Sequence, residues 1–212
     1  MNWTDRRRRF RAIFSGNRCV IPVGVRSISA RIAEDLGFEV GMFAGSTASL
    51  TVLGAPDLIV LTLSEFAGQA YRISRAGNLP LMVDADHGCG NALNAKRTVQ
   101  ELESAGVGDQ PRGTNLPTPF GAAKPRLTSI AEGVGEDEER AGRPAESTLC
   151  IASRQRAQIS GLDDAIARGK AMRRAGVDAL FFVSVRTRAE LDALAATKLP
   201  LILGGVSNVS PT

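Results

Sequence analysis

The chain has 212 residues, of which 43% are hydrophobic and 23% are charged, and it carries a formal net charge of +4. No apolar run approaches the ~20 residues of a membrane span, and no apolar signal-peptide core follows the N-terminal arginines. The three cysteines are far apart and odd in number, which is typical of reduced cysteines in a cytoplasmic protein and not of a disulfide framework.

The densest basic cluster, Arg6–Arg9, lies close to the N-terminus. Asp5 precedes it, and Phe10 and Ile13 follow at amphipathic spacing, so we interpret the cluster as the solvated face of a first helix. Nucleic-acid binding is the alternative. Only 5% of the residues are aromatic, however, and single-strand binding needs aromatic side chains between the basic ones. We therefore expect neither a nucleic-acid nor a membrane partner.

Strand-like and helix-like segments alternate along the chain. The strand candidates are short apolar runs, at residues 19–25, 38–43, 79–84, 149–153, 178–184 and 199–203. The helix candidates lie between them, at residues 29–36, 62–76, 91–105, 162–175 and 188–196. This alternation predicts a parallel sheet covered by helices. Similar helix-ending phrases, closed by Gly37, Gly106 and Gly176, precede three strands and favour a (β/α)₈ barrel over an open sheet.

The alternation fails in two places. Residues 108–113 stand where a fourth apolar strand should follow, and residues 136–143, before Pro144, are densely charged without an apolar stripe. We interpret both as loop or disorder. The sequence thus predicts a single barrel domain over residues 1–212, irregular near 107–113 and 136–147. Glycine-rich dinucleotide and P-loop motifs are absent after the strands.

Two carboxylates follow the run at 79–84. Asp84 and Asp86 would point to the same face of a strand, and they would repel each other unless a cation or a proton lies between them. Hard oxygen ligands with room for water favour Mg²⁺ or Mn²⁺. The alternative is that one aspartate caps the next helix and the other is merely solvated.

With the segment Asp84-Ala85-Asp86-His87-Gly88-Cys89-Gly90-Asn91, the chain resembles the isocitrate lyase/phosphoenolpyruvate mutase superfamily, and within it the bacterial oxaloacetate decarboxylase branch. Further pieces in matching order carry the likeness: Ser29–Ala33, Gly45–Leu50, Ala55–Asp57, Leu63–Phe66, Asn115–Pro117, Glu132–Gly135 and the strand end at Arg154. The resemblance implies a (β/α)₈ TIM barrel of the phosphoenolpyruvate/pyruvate type, here incomplete at the C-terminus.

The resemblance also implies a set of site residues. Asp84 would bind Mg²⁺ directly and Asp86 would hold a metal-bound water, while Gly45, Ser46 and Arg154 would bind the substrate's carboxylate and carbonyl. Oxaloacetate, or a related 2-keto acid, would then lose CO₂ through a metal-stabilised enolate and become pyruvate. Ser46, Arg154 and His87 would be the catalytic residues.

Each of these placements has an alternative. Ser46 could be an N-cap, and Arg154 could be a surface arginine with Arg156 as a rival. His87, the only histidine, would lie beside the metal, where orienting a ligand is favoured over transferring a proton. A C–C or C–P lyase of the same superfamily is a further alternative. Isocitrate cleavage is disfavoured because residues 117–131 lack the cysteine base of those branches.

The chain also departs from the family pattern. Pro111-Arg112-Gly113 replaces a Glu-Asp pair, Arg26-Ser27 replaces an Asp-Pro pair, and Val206 stands where a tyrosine is expected. Thr212 precedes the expected eighth strand and the C-terminal helices on which the family's homo-oligomers rely. A second hypothesis is therefore a truncated or frame-disturbed copy without catalytic activity.

Overall fold

Parallel strands lie side by side in the order in which they occur along the chain. The computed structural model describes residues 3–16, 19–58, 60–85, 92–107, 109–110, 129–131, 134, 149–155 and 161–204. Within these residues the sheet has seven strands: β1 (Val23–Gly24), β2 (Gly41–Ala44), β3 (Leu81–Asp84), β4 (Asp109–Gln110), β5 (Leu149–Gln155), β6 (Ala179–Val183) and β7 (Leu201–Gly204). The predicted parallel sheet is confirmed.

Helices separate the strands, as the alternation predicts. They are α1 (Trp3–Ser15), α2 (Ser27–Asp35), α3 (Gly45–Ala48), a π-helix (Ser49–Leu53), α4 (Leu63–Ala76), α5 (Ala92–Ser104), α6 (Leu162–Arg174) and α7 (Arg188–Ala195). The capping boxes Thr62–Glu65 and Thr187–Glu190 begin α4 and α7, each with the threonine hydroxyl accepting from the glutamate N–H. None of the described helices is long and apolar enough to cross a membrane.

The interpretation of residues 108–113 as loop is wrong for Asp109 and Gln110. These two residues form β4, in which Asp109 pairs with Met82 of β3 and with Leu149 of β5. A parallel ladder is built from backbone N–H and C=O groups, so β3 and β5 can hold a strand that has no apolar side chain of its own. Residues 136–147 lie outside the described residues.

Strands β2, β3, β6 and β7 send alternate side chains into two layers. One set packs inside the curve of the sheet and is called the inner cluster: Phe10, Val40, Met82, Ala179, Phe181 and Val183. The intervening residues pack outward against helices: Phe43, Leu81 and Val83 with α2, α4 and α5, and Leu180 and Phe182 with α6 and α7. Because β3 and β6 share the inner cluster, the sheet curves round a common interior, which is a TIM-barrel-like arrangement.

An apolar cavity of about 690 Å³ opens beside the inner cluster. It is lined by α1, by residues 19–22 before β1, and by residues 200–203 at β7. β1 pairs with β2 and β7 pairs with β6, and no pairing in the described part of the chain joins β1 to β7. The curved sheet therefore has an apolar gap between its first and last strands.

Helix α1 packs across the amino-terminal ends of the strands. Phe10 enters the inner cluster, while arginines of the helix reach the connections that lead into the strands. Arg6 donates to the Gly77 carbonyl, and Arg9 donates to the Asn78 carbonyl at 3.2 Å. Arg11 forms an ion pair with Asp178 at 2.9 Å. The helix thereby closes one end of the interior.

The interpretation of Arg6–Arg9 as a solvated helix face is wrong for Arg6, which is only 3% exposed. Its guanidinium carbon lies 4.9 Å from the centroid of the Trp3 ring. Burial lowers the pKa of Arg6 to about 10, although the nearby Glu34 carboxylate acts in the opposite direction. The side chain therefore stays cationic at neutral pH and is held by the Gly77 carbonyl and the aromatic face.

Gly106, which the sequence predicts to end α5, also lies against α1. Gly106 has φ +83°, and a Cβ at this position would lie 2.5 Å from a carbon of the Trp3 ring. Glycine is required at this position for two reasons. The backbone is left-handed, and the Trp3 indole ring occupies the space that a Cβ would need.

We expect Gly106→Ala to destabilise the protein more than Gly37→Ala does. Gly37 has the same φ of +83° but open space around it, so it isolates the backbone cost of ~1 kcal/mol. Displacement of Trp3 should add ~1–3 kcal/mol in Gly106→Ala. Urea denaturation of both variants measures the difference, and equal losses would show that the Trp3 contact adds nothing.

We expect Arg6→Ala to lower the free energy of unfolding by ~1–3 kcal/mol, because it removes a buried hydrogen bond and the contact with Trp3. Arg8→Ala is the control, since the ion pair between Arg8 and Asp5 is solvent-exposed and its loss should change stability by less than ~0.5 kcal/mol. Thermal and urea denaturation measure both. Similar losses in the two variants would refute a specific role for Arg6.

Candidate active site

The carboxyl ends of β2 and β3 lie next to each other. Ala44, the last residue of β2, pairs in register with Asp84, the last residue of β3. Asp84 lies two residues after Met82, which belongs to the inner cluster, so the two side chains share a face of the strand. The Asp84 side chain is therefore placed at the mouth of the interior, and the residue is only 9% exposed.

The position of the Asp84 carboxylate follows from the burial of β3, the strand that carries it. Leu81, Met82 and Val83 are all buried, so the first polar side chain occurs where the strand leaves the sheet. A buried carboxylate costs free energy unless hydrogen bonds or a cation compensate for its lost hydration. The Asp84 carboxylate is a hard oxygen donor, and a bound divalent cation would compensate for its lost hydration.

Helix α3 begins at Gly45, directly after β2 ends. Its N-cap is Ala44, which is extended (φ −83°, ψ 146°) and makes no side-chain capping hydrogen bond. The alternative that Ser46 is an N-cap is therefore wrong, because Ser46 lies within the first turn. Gly45 is buried and Ser46 is exposed. The first N–H groups of a helix have no partner within the helix, so this turn presents donors beside Asp84.

Helix α3 continues without a break into the π-helix Ser49–Leu53. A left-handed residue, Gly54, ends it, with its N–H donating to the Leu50 carbonyl at 3.2 Å. Short π-helical segments are frequent at functional sites. The helix after β2 thus changes from α-helical to π-helical geometry close to the candidate site.

Arg154 lies in β5, near its carboxyl end. Ile151 and Ala152 pair with Ala179 and Leu180, but Gln155 pairs with Phe182, so β5 has one more residue than β6 between these points. Such a bulge changes the direction of the side chains around it and is frequent beside active sites. The structure places the Arg154 backbone in this bulge, at the same edge of the sheet as Asp84, and its side chain lies outside the described residues.

Asp86, His87 and Arg156 also lie outside the described residues. Within the described part of the chain, no three His, Cys, Asp or Glu side chains form a cluster that could hold a metal ion. The convergence of Asp84 with Asp86 and the role of His87 stay predictions. The described site therefore consists of Asp84, Gly45 and Ser46, with the Arg154 backbone at the same edge.

One further polar residue at this edge, Ser184, was not singled out from the sequence. It directly follows β6 and has a positive φ of 62°. The sequence signal that could have identified it is a polar residue ending the buried run Ala179–Val183, the same pattern that marks Asp84.

Residues 10–209 match the protein family described as phosphoenolpyruvate phosphomutase. A protein named oxaloacetate decarboxylase from Rhodopseudomonas palustris (strain BisB18) is 56% identical to this chain, over 98% of the chain and 73% of the relative. A protein of the same name from Bradyrhizobium sp. (strain BTAi1 / ATCC BAA-1182) is 53% identical, over 97% of the chain and 73% of the relative.

Solved structures share the fold. A 2,3-dimethylmalate lyase of the PEP mutase/isocitrate lyase superfamily matches with a TM-score of 0.83 and 25% identity, over 98% of this chain and 74% of that one. A phosphonopyruvate hydrolase in complex with oxalate and Mg²⁺ has a TM-score of 0.82 and 28% identity, over 93% and 71%. An oxaloacetate acetylhydrolase in complex with 3,3-difluorooxalacetate has a TM-score of 0.84 and 25% identity, over 97% and 74%.

Proposed function

The chain belongs to the phosphoenolpyruvate mutase/isocitrate lyase superfamily, and we propose from this that it is a lyase that decarboxylates oxaloacetate to pyruvate and CO₂ with the help of Mg²⁺. The observation that carries the proposal is the Asp84 carboxylate, buried beside the first turn of α3 in a chain more than half identical to oxaloacetate decarboxylases. The likeness to C–C and C–P bond-cleaving relatives is weaker, at 25–28% identity.

Asp84 is the residue we propose as the direct Mg²⁺ ligand. Its carboxylate is a hard donor at the mouth of the interior, and a structural neighbour holds Mg²⁺ together with oxalate. Asp86 is proposed to complete the site through water, and His87 to orient the groups around it. When bound, Mg²⁺ would supply Lewis-acid stabilisation of the negative charge that develops as CO₂ leaves.

The first turn of α3 is proposed to bind the 2-keto acid end of the substrate. Helix N-terminal N–H groups attract anions, and Gly45 has no side chain to keep a ligand away from them. The exposed Ser46 hydroxyl would add a donor where charge develops on the keto oxygen. Arg154, at the end of β5, would bind a carboxylate in bidentate fashion.

The reaction needs little proton chemistry. The bond between C3 and C4 breaks, its electron pair moves toward the C2 carbonyl, and C4 leaves as CO₂. One proton must then reach C3 to give pyruvate. The residues of the chain therefore act chiefly by orienting the substrate and stabilising charge, which a site of hydrogen-bond donors and carboxylates can do.

We expect the purified chain to release CO₂ from oxaloacetate only when Mg²⁺ is present, above the metal-catalysed background of the same buffer. Oxalate mimics the planar product of CO₂ loss, so Mg²⁺ with oxalate at ~100 times its Kd should stabilise the fold by ~2.7 kcal/mol. Pyruvate-coupled assays and thermal melts measure the two effects. A cooperative melt without any shift, together with background rates, would refute the proposal.

We expect Asp84→Asn to lower kcat/KM by at least ~100-fold, since even partners one step removed from a metal ligand reach that effect. The thermal shift with Mg²⁺ and oxalate should disappear as well. Asp35→Asn is the matched control, because Asp35 is exposed at the end of α2, away from the carboxyl edge of the strands. Retained turnover in Asp84→Asn would refute this metal site.

A further inference from the structure

Ser184 holds a backbone conformation that serine rarely adopts. Among the described residues other than glycine, only Ser184 (φ 62°) and Lys198 (φ 59°) have a positive φ. Lys198 lies in the connection from α7 to β7, at the amino-terminal edge of the sheet, whereas Ser184 follows the carboxyl end of β6. Left-handed backbone is costly for a residue with a Cβ, and such residues are concentrated at ligand sites.

The left-handed residue interrupts the alternation of β6. Leu180 and Phe182 pack into the outer layer and Phe181 and Val183 into the inner cluster, so a regular strand would send Ser184 outward. Instead, Val185 occupies the next position in the outer layer. Because of the turn at Ser184, Val185 packs in the outer layer in place of Ser184. Ser184 itself is half-buried at the carboxyl edge.

The backbone around Ser184 is well anchored. Val183 pairs with Gly204 of β7, and the Ser184 N–H donates to the Gly204 carbonyl at 3.1 Å. The inner cluster joins β6 to β3, so the carboxyl end of β6, which Ser184 directly follows, lies at the mouth of the same interior as Asp84. The two residues approach that mouth from well-separated strands of the curved sheet.

We infer that the Ser184 hydroxyl binds the distal carboxylate of the substrate, the group that leaves as CO₂. This inference rests on the proposed function, in which Asp84 and the first turn of α3 hold the 2-keto acid end. A neutral hydroxyl suits this role because it orients the carboxylate without compensating its charge. A cation would stabilise the ground state more than the transition state, in which that charge moves toward the keto oxygen.

The test compares Ser184→Ala with Ser184→Gly in the full chain. Both variants lack the hydroxyl, but glycine also relieves the positive φ, so Ser184→Gly should melt no lower than the wild type. Each should lower kcat/KM for oxaloacetate by ~10–100-fold, the effect of losing a hydrogen bond to a charged group. Oxalate lacks the distal carboxylate, so the thermal shift with Mg²⁺ and oxalate should stay at the wild-type value in both.

Other outcomes distinguish a failure of the role of Ser184 from a failure of the proposed decarboxylase function. An active wild type whose Ser184 variants keep normal kcat/KM, or a loss in Ser184→Ala that Ser184→Gly does not share, would overturn the role of the hydroxyl alone. Loss of the oxalate shift in both variants would also overturn it, because the defect would not be confined to the distal carboxylate. A wild type with neither turnover nor an oxalate shift would refute the proposed function, and the role of Ser184 with it. Ser104→Ala, which removes an exposed hydroxyl at the end of α5, is the control and should leave all readouts unchanged.

Discussion

The alternation of side chains along β2, β3, β6 and β7 of the curved parallel sheet is the constraint on which the structure depends. Met82, Phe181 and Val183 fill an apolar interior, while the residues between them pack against helices. A strand buried on both faces can carry a polar side chain at low cost only where it leaves the sheet. The burial of β3 and β6 on both faces therefore confines the polar Asp84 and Ser184 to the carboxyl edge, and the candidate site follows from the packing.

The amino-terminal edge of the sheet carries contacts that stabilise the fold. Helix α1 covers it, with Phe10 in the inner cluster and with Arg6, Arg9 and Arg11 bound to the connections that lead into the strands. These contacts involve backbone carbonyls and the half-buried carboxylate of Asp178, and they hold the loops that lead into β3 and β6. Division between a stabilising amino edge and a chemical carboxyl edge is the general property of (β/α) barrels.

Local chemistry made much of this arrangement predictable. Gly37, Gly106 and Gly176 were expected to end helices, and all three have the positive φ that such positions require. The run 79–84 predicted a buried strand that ends in a carboxylate, and β3 ends at Asp84 with that side chain at the interior face. These predictions needed only neighbouring residues, because periodicity and backbone sterics act within a few positions of the chain.

By itself, the sequence determined the alternation of strands and helices, the glycine helix ends and the placement of Asp84 at a strand terminus. Only the tertiary structure decided that Asp109 and Gln110 form a strand, since their pairing partners lie in β3 and β5. It also decided that Arg6 is buried and that Ser184 leaves the outer layer to Val185. The physical reason is that these states depend on contacts between distant segments, whose free energy outweighs the local preference of a polar pair, a basic cluster or a serine backbone.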